Sequence, residues 1–402
     1  MTTSLRLPFT SEKKKILLAL ATAVGLRMLG LFLVLPVFTL YGLQFTSSRF
    51  LAGFAFGAYG LTMGLLQIPF GRLSDHIGRR TVLILGTVVF SLGAFLCAIP
   101  HWFPSGIQIG VLIFGRLVQG GGAIISTAFA TVADHIEPER RSTAMAILGI
   151  PIGVAAALGV LAGPVIAGKL GVASLFWLTG ILGLGSLWLL ASSLPKTPPK
   201  KPKPAPLGEV LRIKRLLALD CGGFLMNFFI STFFFYFPLI MRDQHHMTMS
   251  RYSTILLPMI MVSGVTMFGF SRGADRGWGN ALAAIAFLIF LPYALLLLRP
   301  DLVGMDPERL TAFVIAGTLF YIAFTGLEPI LPSLVSRFAP GSAYGTALGF
   351  FNTTQFLGSA VGGPVAGKLW RYPPTYVMTT LMACGVAGSL LMLAARPGSK
   401  TH

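Results

Sequence analysis

The sequence has few charged residues, and acidic residues are the scarcest of them. Asp, Glu, Lys and Arg together make up 11% of the 402 residues, and only 13 residues are acidic. Soluble domains carry roughly 25% charged residues, and a soluble fold with so few charges could not cover its surface with polar groups. The composition therefore excludes an ordinary soluble domain.

Cysteine and the motifs of common enzymes are equally scarce. The three cysteines, Cys97, Cys221 and Cys384, lie far apart in apolar stretches, without the spacing of a metal site or a disulfide framework. The sequence contains no H-E-x-x-H motif and no phosphate-binding P-loop. We therefore expect no enzymatic activity, no cofactor and no metal ion, and the missing nucleotide motif argues against a primary pump.

Long apolar runs, in contrast, are abundant. Hydrophobic residues make up 54% of the chain and cluster into twelve segments, each near the roughly 20 residues that a helix needs to cross the hydrocarbon core. The first segment is too long for a signal peptide and has no small-residue cleavage site behind it, so we expect it to remain as a helix. The sequence predicts an all-α polytopic membrane protein with segments at 16–40, 49–70, 80–99, 107–133, 142–168, 174–194, 216–240, 252–270, 279–298, 310–335, 344–369 and 374–395.

Positive charges are distributed unevenly between the two sides of this predicted bundle. The net charge of +18 could also indicate a nucleic-acid-binding protein. If the N-terminus is cytoplasmic, however, 21 of the 31 basic residues lie in cytoplasmic segments and 8 in outer segments. This bias follows the positive-inside rule with both termini cytoplasmic. We therefore expect the lipid bilayer, and no nucleic acid, as the partner of these charges.

A basic, proline-rich stretch divides the chain nearly in half. Residues 195–204 contain five prolines and four lysines; the prolines prevent a helix and the lysines keep the segment in water. We therefore predict an N-terminal six-helix bundle at 1–194, a cytoplasmic linker at 195–215 and a C-terminal six-helix bundle at 216–402.

The two halves also resemble each other in sequence. The run Gly163-Pro164-Val165 recurs as Gly363-Pro364-Val365, and Asp75 after the second segment has a counterpart in Asp275 after the eighth, both at an offset of 200 residues. Matches at equivalent topological positions indicate an internal repeat. Two parallel repeats around a midplane cavity are typical of alternating-access carriers.

The loop after the second segment carries the most specific motif. Residues 71–80 read G-R-L-S-D-H-I-G-R-R, which resembles the signature loop of the major facilitator superfamily, G-x-L-x-D-x-x-G-R-[RK], at every fixed position. The resemblance implies the major facilitator fold, with 12 transmembrane helices in two pseudo-symmetric six-helix halves.

In that family the loop latches the cytoplasmic side in the outward-open state. The resemblance assigns this latch to Gly71, Asp75, Gly78 and Arg79, and adds Asp134, at the end of the fourth segment, as a partner of Arg79. Gly78 permits a tight turn, and Asp75 can meet the N-terminus of the eleventh helix, where partial positive charge stabilises a carboxylate. The alternative is a solvated loop that only sets the topology.

The fourth and fifth segments contain two further motifs. Arg116 lies in R-x-x-Q-G, which resembles the fourth-helix motif in which the arginine is tied to proton coupling; a structural pin is the alternative, because a buried guanidinium needs a partner or a wet cavity. In the fifth segment, Gly159, Gly163, Pro164 and Gly168 resemble the antiporter motif of the drug:proton branch. The motif favours antiport over symport but does not settle it, because Gly149 is one position out of register and Ala167 replaces a glycine of the motif.

Two ionisable residues and one polar residue complete the predicted pathway. Arg27 lies near the middle of the first segment and Glu328 in the cytoplasmic half of the tenth, about 6 Å apart in depth at 1.5 Å per residue. We hypothesise that they face each other across the cavity with Glu328 as the proton-accepting group; a fixed ion pair is the alternative. Asn227 is a candidate cavity residue. We expect Asp220 to reach water near the linker.

An aromatic run in the seventh segment, residues 228–237, could form a binding wall or a packing surface. The motifs around Arg27, Glu328 and Gln355 look like those of YajR-type bacterial carriers over essentially the whole chain. The resemblance implies a secondary transporter in the cytoplasmic (inner) membrane of a bacterium, functional as a monomer. It would export a small amphipathic organic compound in exchange for protons; a proton symporter or facilitator for uptake, and a non-transporting receptor, are the alternatives.

Overall fold

Helices account for nearly all of the chain that the structure describes. The computed structural model describes residues 9–137, 140–195, 207–306, 310–340 and 343–396, and none of these residues forms a strand. The helices are α1 Ser11–Val34, α2 Phe38–Gly42, α3 Arg49–Ile77, α4 Arg79–Ala98, α5 Gln108–Gly121, α6 Ile125–His135, α7 Arg141–Leu170, α8 Val172–Ser193, α9 Leu207–Arg212, α10 Lys214–Asp243, α11 Tyr252–Gly273, α12 Gly279–Leu298, α13 Leu310–Phe338, α14 Tyr344–Leu369 and α15 Pro374–Ala394.

Each of the twelve predicted segments falls on helix, so the predicted all-α fold is confirmed. Ten helical stretches of the described chain are long and apolar enough to cross a membrane, by length and composition alone. One of them, Met249–Leu298, contains both α11 and α12. The 26-residue α14 is not among the ten, since the polar run 352–355 lowers its hydropathy. Residues 196–206 of the predicted linker lie outside the described residues, and residues 207–212 form α9.

The helix of the fourth predicted segment is interrupted near its middle, although the segment was predicted as one continuous helix. Helix α5 ends at Gly121 and α6 starts at Ile125. Gly122, between them, lies so close to α4 that a Cβ there would be 2.3 Å from the carbonyl oxygen of Gly86. Three consecutive glycines, 120–122, supply both the backbone freedom and the close approach. The break leaves the Gly122 carbonyl without a helical partner.

The two halves meet through backbone-to-backbone packing of α3 against α14. A Cβ added at Gly53 would lie 2.2 Å from the carbonyl oxygen of Gly363, and one added at Gly57 would lie 2.3 Å from that of Ala360. Small residues allow helices to approach this closely in a bilayer. Further toward the start of α3, a Cβ at Gly367 would lie 2.2 Å from the carbonyl oxygen of Arg49.

Other contacts between the halves lie toward the same end of the molecule. Thr39 Oγ1 donates to the carbonyl of Phe234 at 3.2 Å, and Ser253 Oγ donates to the carbonyl of Leu161 at 2.5 Å. We call this end the closed face. We call the opposite end, where α3 turns into α4 through Gly78, the basic face. The hydrogen bonds and ion pairs of the basic face that involve described residues alone stay within one half. A cleft between the halves therefore opens toward the basic face.

Candidate functional site

An ion-pair cluster fastens the α3–α4 turn on the basic face. Arg79 Nη2 contacts Asp75 Oδ1 at 2.6 Å, and Arg79 Nε donates to Asp134 Oδ2 at 3.0 Å. Arg79 also donates to the Ser74 hydroxyl and to the Gly71 carbonyl. The structure thus brings Gly71, Asp75, Arg79 and Asp134 together with Gly78, whose φ of 92° favours glycine.

Among the described residues, no hydrogen bond or ion pair joins Asp75 to the N-terminus of α14, the helix predicted as the eleventh transmembrane segment. Asp75 pairs with Arg79 of its own half, and the halves separate toward the basic face. The latch therefore stays a prediction for the opposite conformation, in which that face would close.

We expect Arg79→Gln to lower the free energy of unfolding by about 1–3 kcal/mol, because it removes a cation that contacts two half-buried carboxylates, Asp75 and Asp134. Thermal unfolding of the purified protein measures this loss. Arg72→Gln is the matched control, since Arg72 is an exposed arginine of the same loop. Equal stability of the two variants would contradict the role assigned to the cluster.

The C-terminal half repeats the turn but not the ion-pair cluster. Gly277, between α11 and α12, has a φ of 93°, nearly the value at Gly78. Its neighbour Asp275 lies 4.0 Å from Arg337, and the Asp275 side chain is 81% exposed. The backbone geometry of the repeat is therefore conserved between the halves, whereas the tight charge pairing belongs to the N-terminal half.

A second ion pair on the basic face joins the start of α1 to the segment after α6. Lys13 Nζ contacts the Glu137 carboxylate. The lysine ammonium holds the pKa of the Glu137 carboxyl below its usual range. Lys13 is partly exposed and Glu137 is exposed, so the pair contributes little to stability.

Arg27 is buried in the N-terminal half, where it donates a hydrogen bond to a carbonyl left free by the break between α5 and α6. Its side chain is 2% exposed, and Nη1 donates to the free carbonyl of Gly122. Nη2 lies 3.4 Å from the hydroxyl of Tyr59, and the guanidinium lies 4.3 Å from the centre of the Phe90 ring. Among the described residues, no ion pair joins Arg27 to Glu328. The hypothesis that these two residues face each other is not supported in this conformation.

This geometry gives Arg27 a structural role that can be separated from coupling. We expect Arg27→Met to destabilise the protein by about 1–3 kcal/mol, because the buried Gly122 carbonyl loses its donor. The number of protons moved per solute should not change, and parallel proton-flux and solute-flux assays in liposomes measure it. Arg27→Lys, which keeps the charge and a donor, should lose less stability. A changed proton-to-solute ratio would contradict this prediction and indicate that Arg27 takes part in proton coupling.

Arg116 lies in α5 between the aromatic rings of two neighbouring helices. It is 6% exposed; Nη1 donates to Gln119 Oε1 at 2.7 Å, and the guanidinium lies 4.9 Å from the Phe38 ring and 4.8 Å from the Tyr59 ring. The next motif residue, Gly120, allows α5 to reach α3, since a Cβ there would lie 2.1 Å from the Tyr59 carbonyl oxygen. The arginine and glutamine of R-x-x-Q-G therefore form one buried unit.

Glu328 differs from these arginines because its side chain is accessible. It lies well inside the span of α13 and is exposed, and we interpret this exposure as facing the cleft between the halves. It lies on α13 between the buried residues Leu327 and Ile330. Among the described residues it has no ion-pair or hydrogen-bond partner. Glu328 is therefore an accessible, unpaired carboxylate within a membrane-spanning helix.

Asp220 corrects one sequence prediction. It does not reach water: the residue is 3% exposed and its Oδ2 has no hydrogen-bond partner among the described residues. The packing of neighbouring helices around α10 buries it, which the short distance to the linker did not reveal. Asn227 lies about two turns further along α10, on roughly the same face. It is half-buried and donates to the Gly223 carbonyl at 3.5 Å. Within the described ranges, His, Cys, Asp and Glu form no group of three that could hold a metal ion.

The glycines of the fifth predicted segment pack α7 tightly, but only in its second half. A Cβ at Gly163, beside Pro164, would lie 1.9 Å from the carbonyl oxygen of Leu33, and one at Gly159 would lie 2.7 Å from Phe32 Cβ. Gly168 approaches Ser250 of the other half, where a Cβ would lie 2.0 Å from Oγ. Gly149 and Gly153, in the first half of α7, face open space.

The aromatic run of α10 forms the core of the C-terminal half. All ten residues from 228 to 237 except Ile230 are buried. Phe229 stacks on Phe290 with ring centres 3.8 Å apart, and Phe233 stacks on Phe320 at 4.0 Å. The packing interpretation is therefore correct for this run, and a binding wall must come from other residues.

Comparisons with known proteins agree on one family. The sequence pattern of the Major Facilitator Superfamily matches residues 20–363. The inner membrane transport protein YajR of Escherichia coli (strain K12) is 32% identical over 366 residues, covering 89% of this chain and 78% of that protein. The multidrug resistance protein MdtL of Klebsiella pneumoniae (strain 342) is 27% identical over 375 residues, covering 85% of this chain and 86% of that protein. A crystal structure of a D-xylose-proton symporter superposes with a TM-score of 0.78 at 15% identity, covering 96% of this chain and 98% of that one.

Proposed function

Because the chain belongs to the Major Facilitator Superfamily of membrane transporters, we propose that it exports a small amphipathic organic compound in exchange for protons. The observation that carries the proposal is the accessible, unpaired Glu328 on a membrane-spanning helix. Ionisable residues inside a membrane are costly and mark ion or proton pathways. Glu328 is the proton-accepting group in this proposal.

The proposed orientation follows from the distribution of positive charge. The basic face holds the excess of Lys and Arg and lies in the cytoplasm, with both termini on that side of a bacterial inner membrane. The conformation described here is then inward-open, with its cleft facing the cytoplasm. Closure of the basic face, with Asp75 and Arg79 meeting α14, gives the outward-open state.

The coupling step requires that one carboxylate be accessible from each side of the membrane in turn. In the inward-open state, Glu328 releases its proton to the cytoplasm and the solute binds the cleft from that side. In the outward-open state, solute leaves and the carboxylate takes up a proton again. One chain encloses the whole pathway, so the proposal requires only a monomer.

Export is favoured over uptake by two observations. Gly159, Gly163 and Pro164 of the antiporter-like motif pack α7 onto α1 without space for a side chain. MdtL, a relative along most of the chain, is named a multidrug resistance protein. Ala167 stands where that motif has a glycine, and this departure favours the second candidate, a proton symporter. Glu328 would serve as the proton-accepting group of a symporter equally well.

Transport in liposomes tests the proposal directly. Purified protein would be reconstituted in one verified orientation with a pH-sensitive dye inside, and challenged with a panel of amphipathic organic solutes. Proton movement opposite to the solute supports antiport, and movement in the same direction establishes the symporter. Solute flux without proton movement would refute proton coupling and leave a facilitator.

A further inference from the structure

A pocket on the basic face of the C-terminal half has no role in the proposed pathway. Its volume is about 340 Å³, and it lies where the α11–α12 turn meets the ends of α13 and α15. Polar and charged walls come from Asn280, Arg337 and Arg396, and aromatic or apolar walls from Trp278, Leu334 and Phe338.

The pocket carries positive charge without matching negative charge. Arg337 has only the exposed Asp275 at 4.0 Å, and no described carboxylate pairs with Arg396. The guanidinium of Arg215 lies 5.7 Å from the centre of the Phe338 ring and brings a third positive charge to the rim. In the equivalent turn of the N-terminal half, by contrast, the Arg79 guanidinium is neutralised by two carboxylates. The C-terminal pocket thus has an excess of positive charge that an anion from outside the chain would neutralise.

The walls of the pocket are fixed and partly apolar. Asn280 is 6% exposed and donates to the Met392 carbonyl at 3.1 Å, which ties α12 to α15 beneath the pocket. Trp278 is 64% exposed, and Leu390 and Leu393 on α15 are 61% and 48% exposed. Tryptophan at a helix end is typical of the membrane–water interface, and exposed leucines below it provide a surface for acyl chains.

We propose that this pocket binds the phosphate headgroup of an anionic phospholipid from the leaflet at the basic face. Arginines bind phosphate oxygens through charge-assisted hydrogen bonds, and basic pockets between membrane helices hold anionic headgroups. The adjoining Trp278 and leucines favour a lipid over a soluble anion, because they contact the glycerol and acyl portions that a free phosphate lacks.

Native mass spectrometry of the full-length, delipidated protein titrated with phosphatidylglycerol or phosphatidylcholine tests the site. We expect phosphatidylglycerol to bind saturably, and the double substitution Arg337→Gln/Arg396→Gln to weaken it by about tenfold or more, because each arginine near a charged membrane surface contributes separately. Arg72→Gln/Arg212→Gln removes two exposed arginines outside the pocket and should leave the affinity unchanged. Arg337→Lys/Arg396→Lys, which keeps both charges, should retain most of the binding.

Three results would overturn the proposal. Equal phosphatidylglycerol affinity of wild type and the Arg337→Gln/Arg396→Gln variant would mean that the pocket is not the site. Equal losses in the pocket variant and the Arg72→Gln/Arg212→Gln control would indicate unspecific charge attraction. Displacement of the lipid by millimolar inorganic phosphate would assign the pocket to a soluble anion instead.

Discussion

Proton-driven transport is expected to fall to the level of protein-free liposomes when Glu328 is replaced by glutamine. The substitution keeps the size and the hydrogen-bonding capacity of the side chain but removes its ability to bind and release a proton. Exchange of labelled for unlabelled solute, which requires no net proton movement, should continue. The measurement is solute flux under an imposed pH gradient, compared with solute exchange at equal pH in the same liposomes.

The comparison of the two fluxes distinguishes a loss of proton coupling from a loss of folding. A variant that fails to fold would lose both fluxes, whereas a coupling variant loses only the proton-driven one. Glu209→Gln is the matched control, because Glu209 lies on the exposed surface of α9 and should behave like wild type. Full proton-driven transport by Glu328→Gln would rule out Glu328 as the coupling group.

A leucine at Gly57 is expected to stop transport by preventing closure of the closed face. A Cβ at this position would already lie 2.3 Å from the Ala360 carbonyl oxygen, and the added branched side chain would push α3 and α14 apart. Overpacking costs about 1–3 kcal/mol or more when the neighbour is backbone. Because the halves can separate at this face in the opposite state of the cycle, the protein should remain folded and accumulate in that state.

Chemical labelling measures the shift. A cysteine introduced at Ser359, next to the α3–α14 contact, should react with a thiol reagent faster in the Gly57→Leu background, above the labelling of the three native cysteines. Gly185→Leu is the control: it adds the same side chain to α8, at a glycine with open space around it, and should leave both transport and labelling unchanged. Wild-type transport by Gly57→Leu would show that this contact is not needed for the cycle.

Local motifs predicted the parts of the site whose geometry is local. The G-x-L-x-D-x-x-G-R pattern identified the Gly78 turn, because its residues lie within one turn and the flanking helix ends. The charge-poor segments predicted the helices for the same reason: hydrophobic length alone decides whether a segment can span the membrane. The Arg79–Asp134 pair joins distant segments and was expected only from the family resemblance.

Contacts between distant segments could not be predicted in this way. Arg27 was expected to meet Glu328, but its guanidinium binds a carbonyl that is free only because α5 ends at Gly121. The glycine triplet at 120–122 was the available signal for that break. Asp220 was expected at the water interface, and the packing of neighbouring helices around α10 buries it instead. Depth along a helix can be counted from the sequence, whereas the direction in which a side chain points depends on neighbouring helices.

The contact between α3 and α14 also bears on how many resting positions the transporter has. Gly53 and Gly57 touch carbonyl oxygens directly, so no side chain at the contact can change rotamer to accommodate a partial displacement. If the helices slid or rolled slightly, backbone atoms would collide or leave a gap, since short-range packing energy changes steeply over about 1 Å. Interfaces of this kind are bistable rather than continuously deformable. Single-molecule distance recordings across the closed face should therefore show two dwell levels joined by abrupt jumps, with no gradual drift between them.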